Sequence, residues 1–166
     1  MAGKPAPLAK LLRPQLHRPV ARQRLFRLLD RRATHPVLWV SGPPGCGKTT
    51  LVASYITSRR LPAAWYRVDE GDRDPAAFFT YLNLLARQFG SPDAPDLPTL
   101  SPEYFPDLAA FTRRCFRELF TRLPSRSMLV LDNCHAAASD TFHLLLRCAC
   151  HELPPDISLV AISRRY

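Results

Sequence analysis

The stretch that decides the fold of this chain is Gly42-Pro43-Pro44-Gly45-Cys46-Gly47-Lys48-Thr49. It has the spacing of one glycine, four further residues, and then Gly-Lys-Thr. An apolar run at residues 37–40 precedes it, and residues 50–59 have a helix-compatible composition. A strand, a glycine-rich turn and a helix in this order form a loop whose backbone cradles phosphate groups. The sequence therefore predicts a nucleotide-binding loop, and every residue of the stretch is a candidate phosphate contact.

The residues at the end of this loop have the most specific predicted roles. Its glycines let backbone N–H groups converge on one point, and the following helix adds the positive end of its dipole. We expect Lys48 to neutralise the β- and γ-phosphates, the Thr49 hydroxyl to bind Mg²⁺, and Thr50 to reach the α-phosphate. Cys46 is either a small filler or a reactive thiol at the nucleotide.

A candidate metal ligand follows a later apolar run. Residues 128–131 are apolar and lead directly into Asp132 and Asn133. Ligands of open α/β sheets bind at the carboxyl ends of the strands, so we expect Asp132 to hold Mg²⁺ opposite Thr49. Asn133 is a candidate catalytic residue that can orient water, but it cannot take a proton from water at neutral pH. The pair predicts that hydrolysis is slow, or that a group from elsewhere completes it.

Three further polar residues leave alternatives open. Asp69 is either a general base or a loop-entry residue, and His135 either contacts the nucleotide or caps a turn. Arg164 follows the last apolar run, residues 157–162. If that strand lies between the first and third, Arg164 points at the γ-phosphate, where a guanidinium can distinguish ATP from ADP. Otherwise it is an ordinary surface arginine.

Strands and helices alternate along the whole chain. The predicted strands are residues 37–41, 63–68, 128–131, which lead into Asp132, and 157–162, which lead into Ser163 and Arg164. The predicted helices are residues 20–33, 48–59, 107–123 and 140–152, with a further one beginning at Asp74. Continuous apolar strands suit a parallel sheet covered on both faces, which predicts a three-layer α/β/α fold of the α/β class. We expect residues 1–19 to form an extended segment and residues 20–166 to form one nucleotide-binding domain.

Composition narrows the possible classes of protein. The chain is 46% hydrophobic, with no run of 18 apolar residues and no apolar signal core, so we expect a cytoplasmic protein that binds no membrane. Its five cysteines are an odd number, which argues against a disulfide framework. The first 35 residues carry nine Lys and Arg against one Asp, either as a solvated helix face or as a nucleic-acid-binding arm.

Five sequence blocks occur in an order that resembles a known family. They are Arg18-Pro-Val-Ala-Arg22, Trp39-Val-Ser-Gly-Pro-Pro-Gly-Cys-Gly-Lys-Thr-Thr50, Ala64-Trp-Tyr-Arg-Val-Asp-Glu-Gly-Asp-Arg-Asp-Pro75, Leu129-Val-Leu-Asp-Asn-Cys-His135 and Leu159-Val-Ala-Ile-Ser-Arg164. Together they resemble the nucleotide-binding domain of MalT-like regulators of the LuxR type. These regulators belong to the STAND class, the signal transduction ATPases with numerous domains. Regulators with a bacterial transcriptional activator (BTAD) domain are similar too.

The resemblance implies a P-loop NTPase fold of the ASCE/AAA-like type, with strand order 2-3-4-1. It also implies a fragment that lacks the closing fifth strand and the downstream parts of a larger regulator. By resemblance, Asp132 holds Mg²⁺, Arg164 senses the terminal phosphate, and Val20 and Arg22 lie over adenine. The chain departs from the family at Asn133, where a second acid is common, and this departure concerns hydrolysis more than binding.

The function implied by the resemblance is an ATP/ADP switch with slow, Mg²⁺-dependent hydrolysis. Its partners would be ATP or ADP, an unknown inducer, and DNA reached through domains outside this chain, with an ATP-dependent homo-oligomer in the full protein. Two other functions stay open. One is a P-loop kinase that transfers phosphate to a small acceptor, and the other is an ATPase stimulated by nucleic acid through the basic arm.

Overall fold

The computed structural model describes residues 8–16, 21–32 and 35–164. Its strands are β1 (Val37–Ser41), β2 (Ala63–Arg67), β3 (Met128–Asp132) and β4 (Ser158–Ser163). They form one parallel sheet in the order β1-β4-β3-β2. This is the predicted order 2-3-4-1, read from the other edge of the sheet, so the predicted fold class is confirmed.

Helices connect the strands and cover the sheet. They are α1 (Gln23–Arg32), α2 (Lys48–Arg59), α3 (Pro75–Ala86), α4 (Leu108–Arg122) and α5 (Asp140–His151). The first helix was predicted over residues 20–33, and both ends of that range lie outside the described residues. The predicted start of α3 is confirmed, because the Asp74 side chain accepts a hydrogen bond from the Ala76 amide at 3.0 Å. In the described part of the chain, no helix is long and apolar enough to cross a membrane.

Both faces of the sheet are buried, which explains why the strands are apolar without interruption. Leu129 and Leu131 of β3 pack into the core on the side of α3, α4 and α5. Met128 and Val130 of the same strand pack into the second core, beneath α1 and α2. Successive side chains of a strand point to opposite faces, so a strand between two helical layers needs apolar residues at every position.

The segment that precedes α1 is not simply extended. It contains a short 3-10 helix, Ala9–Leu11, and the Leu11 side chain is only 3% exposed within the core beside α3 and α4. The ammonium of Lys10 lies 2.6 Å from Asp69 Oδ2 and 2.8 Å from Asp72 Oδ2. Residues 8–16 therefore pack against the nucleotide-binding domain that was predicted to begin at residue 20, and that boundary stays a prediction.

The strand order decides which residues meet at the carboxyl edge of the sheet. β4 lies between β1 and β3, with Ser41 opposite Ser163 and Asp132 opposite Ile162. The loop after β1, Asp132 at the end of β3 and Arg164 after β4 therefore lie side by side. Residues separated by more than 80 positions in sequence form one site because parallel strands end at the same edge.

Candidate functional site

The loop between β1 and α2 has a backbone that requires glycine. Gly45 and Gly47 have φ angles of +75° and +83°, in the left-handed region where a side chain is strained. A Cβ atom at Gly47 would also lie 2.9 Å from a guanidinium nitrogen of Arg22. Helix α2 begins at the next residue, Lys48, so the amides of its first turn point into the loop. Backbone N–H groups and a helix N-terminus together favour an anion at this point.

Lys48 folds over the loop and places its charge at the centre. Its ammonium donates hydrogen bonds to the carbonyl oxygens of Gly42, at 2.8 Å, and Pro43, at 2.9 Å. The third contact is the Cys46 thiol, with 3.7 Å between Nζ and Sγ. An ammonium has three N–H donors, and sulfur is the weakest of these acceptors. A phosphate oxygen would therefore replace the thiol at least cost, which leaves the two carbonyls holding the ammonium in position.

Thr49 and Asp132 form the oxygen pair that was expected to hold a metal ion. The Thr49 hydroxyl donates to Asp132 Oδ1 at 3.0 Å, and Asp132 is only 6% exposed. Burial raises the pKa of the Asp132 carboxyl above its ordinary value, and the hydrogen bond from Thr49 opposes that shift. A carboxylate and a hydroxyl oxygen at this distance fit the hard oxygen ligands that Mg²⁺ prefers. The residues present therefore suit the predicted magnesium site.

Asn133 uses its amide to connect two strands. Its backbone is left-handed, with φ +72°, which asparagine tolerates better than most residues. The side-chain Nδ2 donates to the carbonyl oxygen of Val68, just after β2, at 3.0 Å. The Val68 amide in turn donates to the Asp132 carbonyl at 2.7 Å. This residue therefore holds the end of β3, which carries Asp132, against the end of β2, in addition to any role it has toward water.

Replacing Asn133 by aspartate separates these two roles. The new carboxylate cannot donate to the Val68 carbonyl, so we expect the free energy of unfolding to fall by about 1–3 kcal/mol. Repelled from that oxygen, the carboxylate is expected to turn toward the cavity and accept a proton from water, which should make hydrolysis of a bound nucleotide faster. Thermal unfolding and steady-state phosphate release measure the two effects. Asn133→Ala is the control. It also loses the hydrogen bond to Val68 and tolerates the left-handed backbone less well than aspartate, so we expect a larger loss of stability and no gain in turnover. An unchanged rate in Asn133→Asp would place the base elsewhere.

Two cavities meet at Lys48. The smaller, of about 350 Å³, is lined by the loop, the first turn of α2, Asp132, His135 and Arg164. The larger, of about 860 Å³, lies between α1 and the edge strand β1, with Arg22 and Cys46 at the end near the loop. The Arg22 guanidinium also donates to the Cys46 carbonyl at 3.0 Å. A polar cavity that continues into a larger apolar groove matches the two halves of a nucleotide.

Comparison with known proteins agrees with this geometry. A family profile described as the AAA ATPase domain matches residues 16–162, which is most of the chain. The chain belongs to the AAA ATPase domain family. Among solved structures, a chain from the structure of Drosophila ORC bound to AT-rich DNA and Cdc6 superimposes with a TM-score of 0.50. It is 15% identical, with 87% of this chain and 46% of that chain covered, so the likeness concerns the fold alone.

Curated relatives of this AAA ATPase domain include transcription regulators. The HTH-type transcriptional regulator MalT of Vibrio cholerae serotype O1 is 29% identical over 174 residues, which covers 94% of this chain and 17% of that protein. The MalT protein of Serratia proteamaculans is 30% identical over 158 residues, with the same coverage. The chain therefore spans 17% of the length of the curated relatives it matches. The resemblance to MalT-like regulators is confirmed, and membership of the family implies nucleotide binding.

Most of the predicted site residues of the AAA ATPase domain meet in the smaller cavity. The residues that line it include Pro44, Gly45, Gly47, Lys48, Thr49, Thr50, Asp132, Asn133 and Arg164. Gly42 and Pro43 act through the Lys48 ammonium, and Cys46 lines the larger groove instead. Val20 lies outside the described residues.

Two residues whose roles were left open have different outcomes. Asp69 lies in the ion pair with Lys10, and its carboxylate accepts the Gly71 amide at 3.0 Å. These contacts give it the structural role of a helix cap, and a role as a base stays a prediction. His135 lines the smaller cavity beside Arg164. In the sequence, the only indication of a role at the site was that His135 follows Asp132 by three residues. Whether the side chain reaches the cavity depends on the order of the strands.

Proposed function

We propose that this AAA ATPase domain is the ATP/ADP-binding switch module of a multidomain transcription regulator, in which slow Mg²⁺-dependent hydrolysis resets the switch. One observation supports this most: Lys48, Asp132 and Arg164 line the same cavity, although they follow three different strands. A phosphate-binding cation, a metal-binding carboxylate and a second cation at the far side are what a triphosphate needs.

In this proposal the nucleotide occupies both cavities. The phosphates lie in the smaller cavity, where loop amides, Lys48 and Thr50 contact them, and Thr49 and Asp132 hold Mg²⁺. The nucleoside lies in the groove between α1 and β1, with Arg22 near its entrance. Lys48 lines both cavities, so the two cavities adjoin and a single nucleotide can extend from one into the other.

Slow hydrolysis is expected because the described lining of the smaller cavity has too few carboxylates to supply a general base. Among the described residues, Asp132 is the single carboxylate that lines it, and the metal ion would occupy that carboxylate. A general base must be within reach of the water whose proton it takes, and Asn133 cannot serve as one. Bound ATP would then persist long enough to bias a conformational equilibrium, which is what a switch requires.

Replacing Arg164 by alanine tests the discrimination between ATP and ADP. A guanidinium beside the terminal phosphate stabilises ATP but has no partner in ADP, so we expect ATP affinity to fall about tenfold while ADP affinity is unchanged. Competition titrations with both nucleotides measure the ratio. Arg113→Ala, at an exposed position of α4, is the matched control. An unaltered ratio in Arg164→Ala would remove the sensor role.

The proposal is tested by the nucleotide that the purified chain carries and by its rate of turnover. We expect nucleotide released by denaturation to be ADP, at a substantial fraction of the protein, and phosphate release well below about 1 s⁻¹, the lower end for ordinary enzymes. Rapid ADP release that depends on a small phosphate acceptor would identify a kinase instead. Turnover stimulated by DNA, and falling steeply with salt, would identify a nucleic-acid-dependent ATPase.

The remaining parts of the proposal concern the full regulator. We infer that the inducer and DNA bind to domains outside this chain, and that ATP favours a homo-oligomer of the full protein. The similarity to MalT regulators supports this arrangement, since the matched region is 17% of their length.

A further inference from the structure

His135 lies in the phosphate cavity without a role in the proposed function. It belongs to the short 3-10 helix Cys134–Ala136, which follows Asn133. The Cys134 side chain is buried in the core, and the Ala136 amide donates to the Asn133 carbonyl at 2.9 Å. The ring therefore stands on a backbone that is fixed on both sides. It lines the cavity together with Lys48 and Arg164.

One nitrogen of this ring is buried and unpaired. Nδ1 is shielded from solvent, and within the described residues it has no hydrogen-bond partner. Buried polar atoms are usually paired, so an exception calls for an explanation. Because Nδ1 is enclosed, a hydrogen bond from the ring to a molecule in the cavity is made by Nε2, or requires the ring to turn.

The charges around the ring keep it neutral. Those that face it are Arg164 after β4, Lys48 at the start of α2 and Asp132 at the end of β3. Burial lowers the pKa of His135 first, the two cations lower it further, and the single carboxylate opposes them. A neutral imidazole beside two cations is a group whose protonation depends on any negative charge that enters the cavity.

We propose that His135 contacts the terminal phosphate of ATP and takes up a proton from solvent when ATP binds, so that the ring distinguishes ATP from ADP. This inference rests on the proposed nucleotide site and adds a recognition residue to it. A terminal phosphate adds negative charge next to the ring and offsets the cations, which favours the imidazolium and a charge-assisted hydrogen bond. ADP adds no such charge there, so the ring stays neutral. Loss of the terminal phosphate returns the proton to solvent.

Calorimetry of the chain with a non-hydrolysable ATP analogue and with ADP, each with Mg²⁺, tests this proposal. We expect the contribution of His135 to make analogue affinity about tenfold lower at about pH 8 than at about pH 6.5. We expect His135 to make no such contribution to ADP affinity. The terminal phosphate itself titrates near about pH 6, equally in every variant, so the comparison between variants isolates the ring. Titrations in buffers of different ionisation enthalpy count the protons taken up.

Matched variants assign the proton to this ring. His135→Gln should bind ADP normally and lose the extra pH dependence of analogue binding. His135→Lys should keep the preference for the analogue without that pH dependence, since its charge is permanent. His143→Gln, at an exposed position of α5, is the control and should behave like the unsubstituted protein.

The histidine ring is also followed by NMR in the unsubstituted protein, which does not depend on how a variant folds. We expect the His135 ring to be neutral with ADP and protonated with the analogue at about pH 7. A ring that stays neutral with the analogue, or equal pH dependence in His135→Gln and the unsubstituted chain, would overturn the inference while nucleotide binding stands. If neither nucleotide binds, the proposed function fails, and this inference fails with it.

Discussion

We expect the replacement of Lys48 by alanine to lower the affinity for ATP and ADP by at least about a hundredfold, which corresponds to about 3 kcal/mol. The ammonium lies within 2.9 Å of two loop carbonyls, so its position is fixed before any phosphate arrives. A positioned charge needs no reordering on binding, and its hydrogen bonds to phosphate are charge-assisted. The loss should affect both nucleotides, because both carry a β-phosphate. Equilibrium titrations measure the two affinities.

The same substitution leaves the Gly42 and Pro43 carbonyls without their donor. Thermal unfolding of Lys48→Ala therefore accompanies the titrations, and we expect a small decrease in melting temperature with a cooperative transition retained. Arg147→Ala, at an exposed position of α5, removes one positive charge far from the loop and is the control for net charge. Unchanged ATP affinity in folded Lys48→Ala would contradict the assignment of this loop.

We expect the replacement of Asp132 by asparagine to abolish the contribution of Mg²⁺ to nucleotide binding. We also expect it to reduce hydrolysis by at least about a hundredfold, the typical effect of removing one group that stabilises the transition state. The amide oxygen can still accept the Thr49 hydrogen bond, so the local arrangement should persist. An amide carries no charge and is a poor partner for a divalent ion. Affinity measured with Mg²⁺ and with a chelator separates the metal contribution from the rest.

Whereas affinity and hydrolysis should fall in Asp132→Asn, the free energy of unfolding should rise. The pKa of Asp132 is raised in the folded chain, so the folded state binds a proton more readily than the unfolded state. At pH values above the raised pKa, the charged carboxylate therefore costs folding free energy. A neutral amide removes it, and we expect a higher melting temperature near neutral pH in metal-free buffer. Asp156→Asn, in an exposed loop, is the control; retained Mg²⁺ dependence in Asp132→Asn would place the metal elsewhere.

The features that could be predicted from sequence are local patterns. The bounds of β1 and α2 follow from an apolar run, a glycine loop and helix-forming residues, and the predicted residues 37–41 and 48–59 match those elements. The continuous apolar strands predicted a sheet buried on both faces. The order 2-3-4-1, in contrast, came from the resemblance, because no local pattern states which strands pair.

The features that were missed depend on contacts between distant residues. Lys10 reaches Asp72 across 62 positions, and Tyr66 donates to the same carboxylate at 2.6 Å, so an N-terminal segment expected to be extended packs on the domain. The hydrogen bond from Asn133 to Val68 joins residues that are 65 positions apart in sequence, and no pattern in either segment predicts it. The cavity position of His135 depends on β4 lying next to both β1 and β3, which sequence spacing alone does not establish.

The most direct test of this account is isothermal titration calorimetry of the 166-residue chain, first freed of any ADP that it carries, with Mg-ADP and with Mg-ATP. The account predicts saturable heat for each nucleotide, one site per chain, and a dissociation constant of about 1 µM or lower, equivalent to at least about 8 kcal/mol. Well-folded protein that gives no binding heat with either nucleotide, at more than one temperature, would contradict the claim that this loop and Asp132 form a nucleotide site.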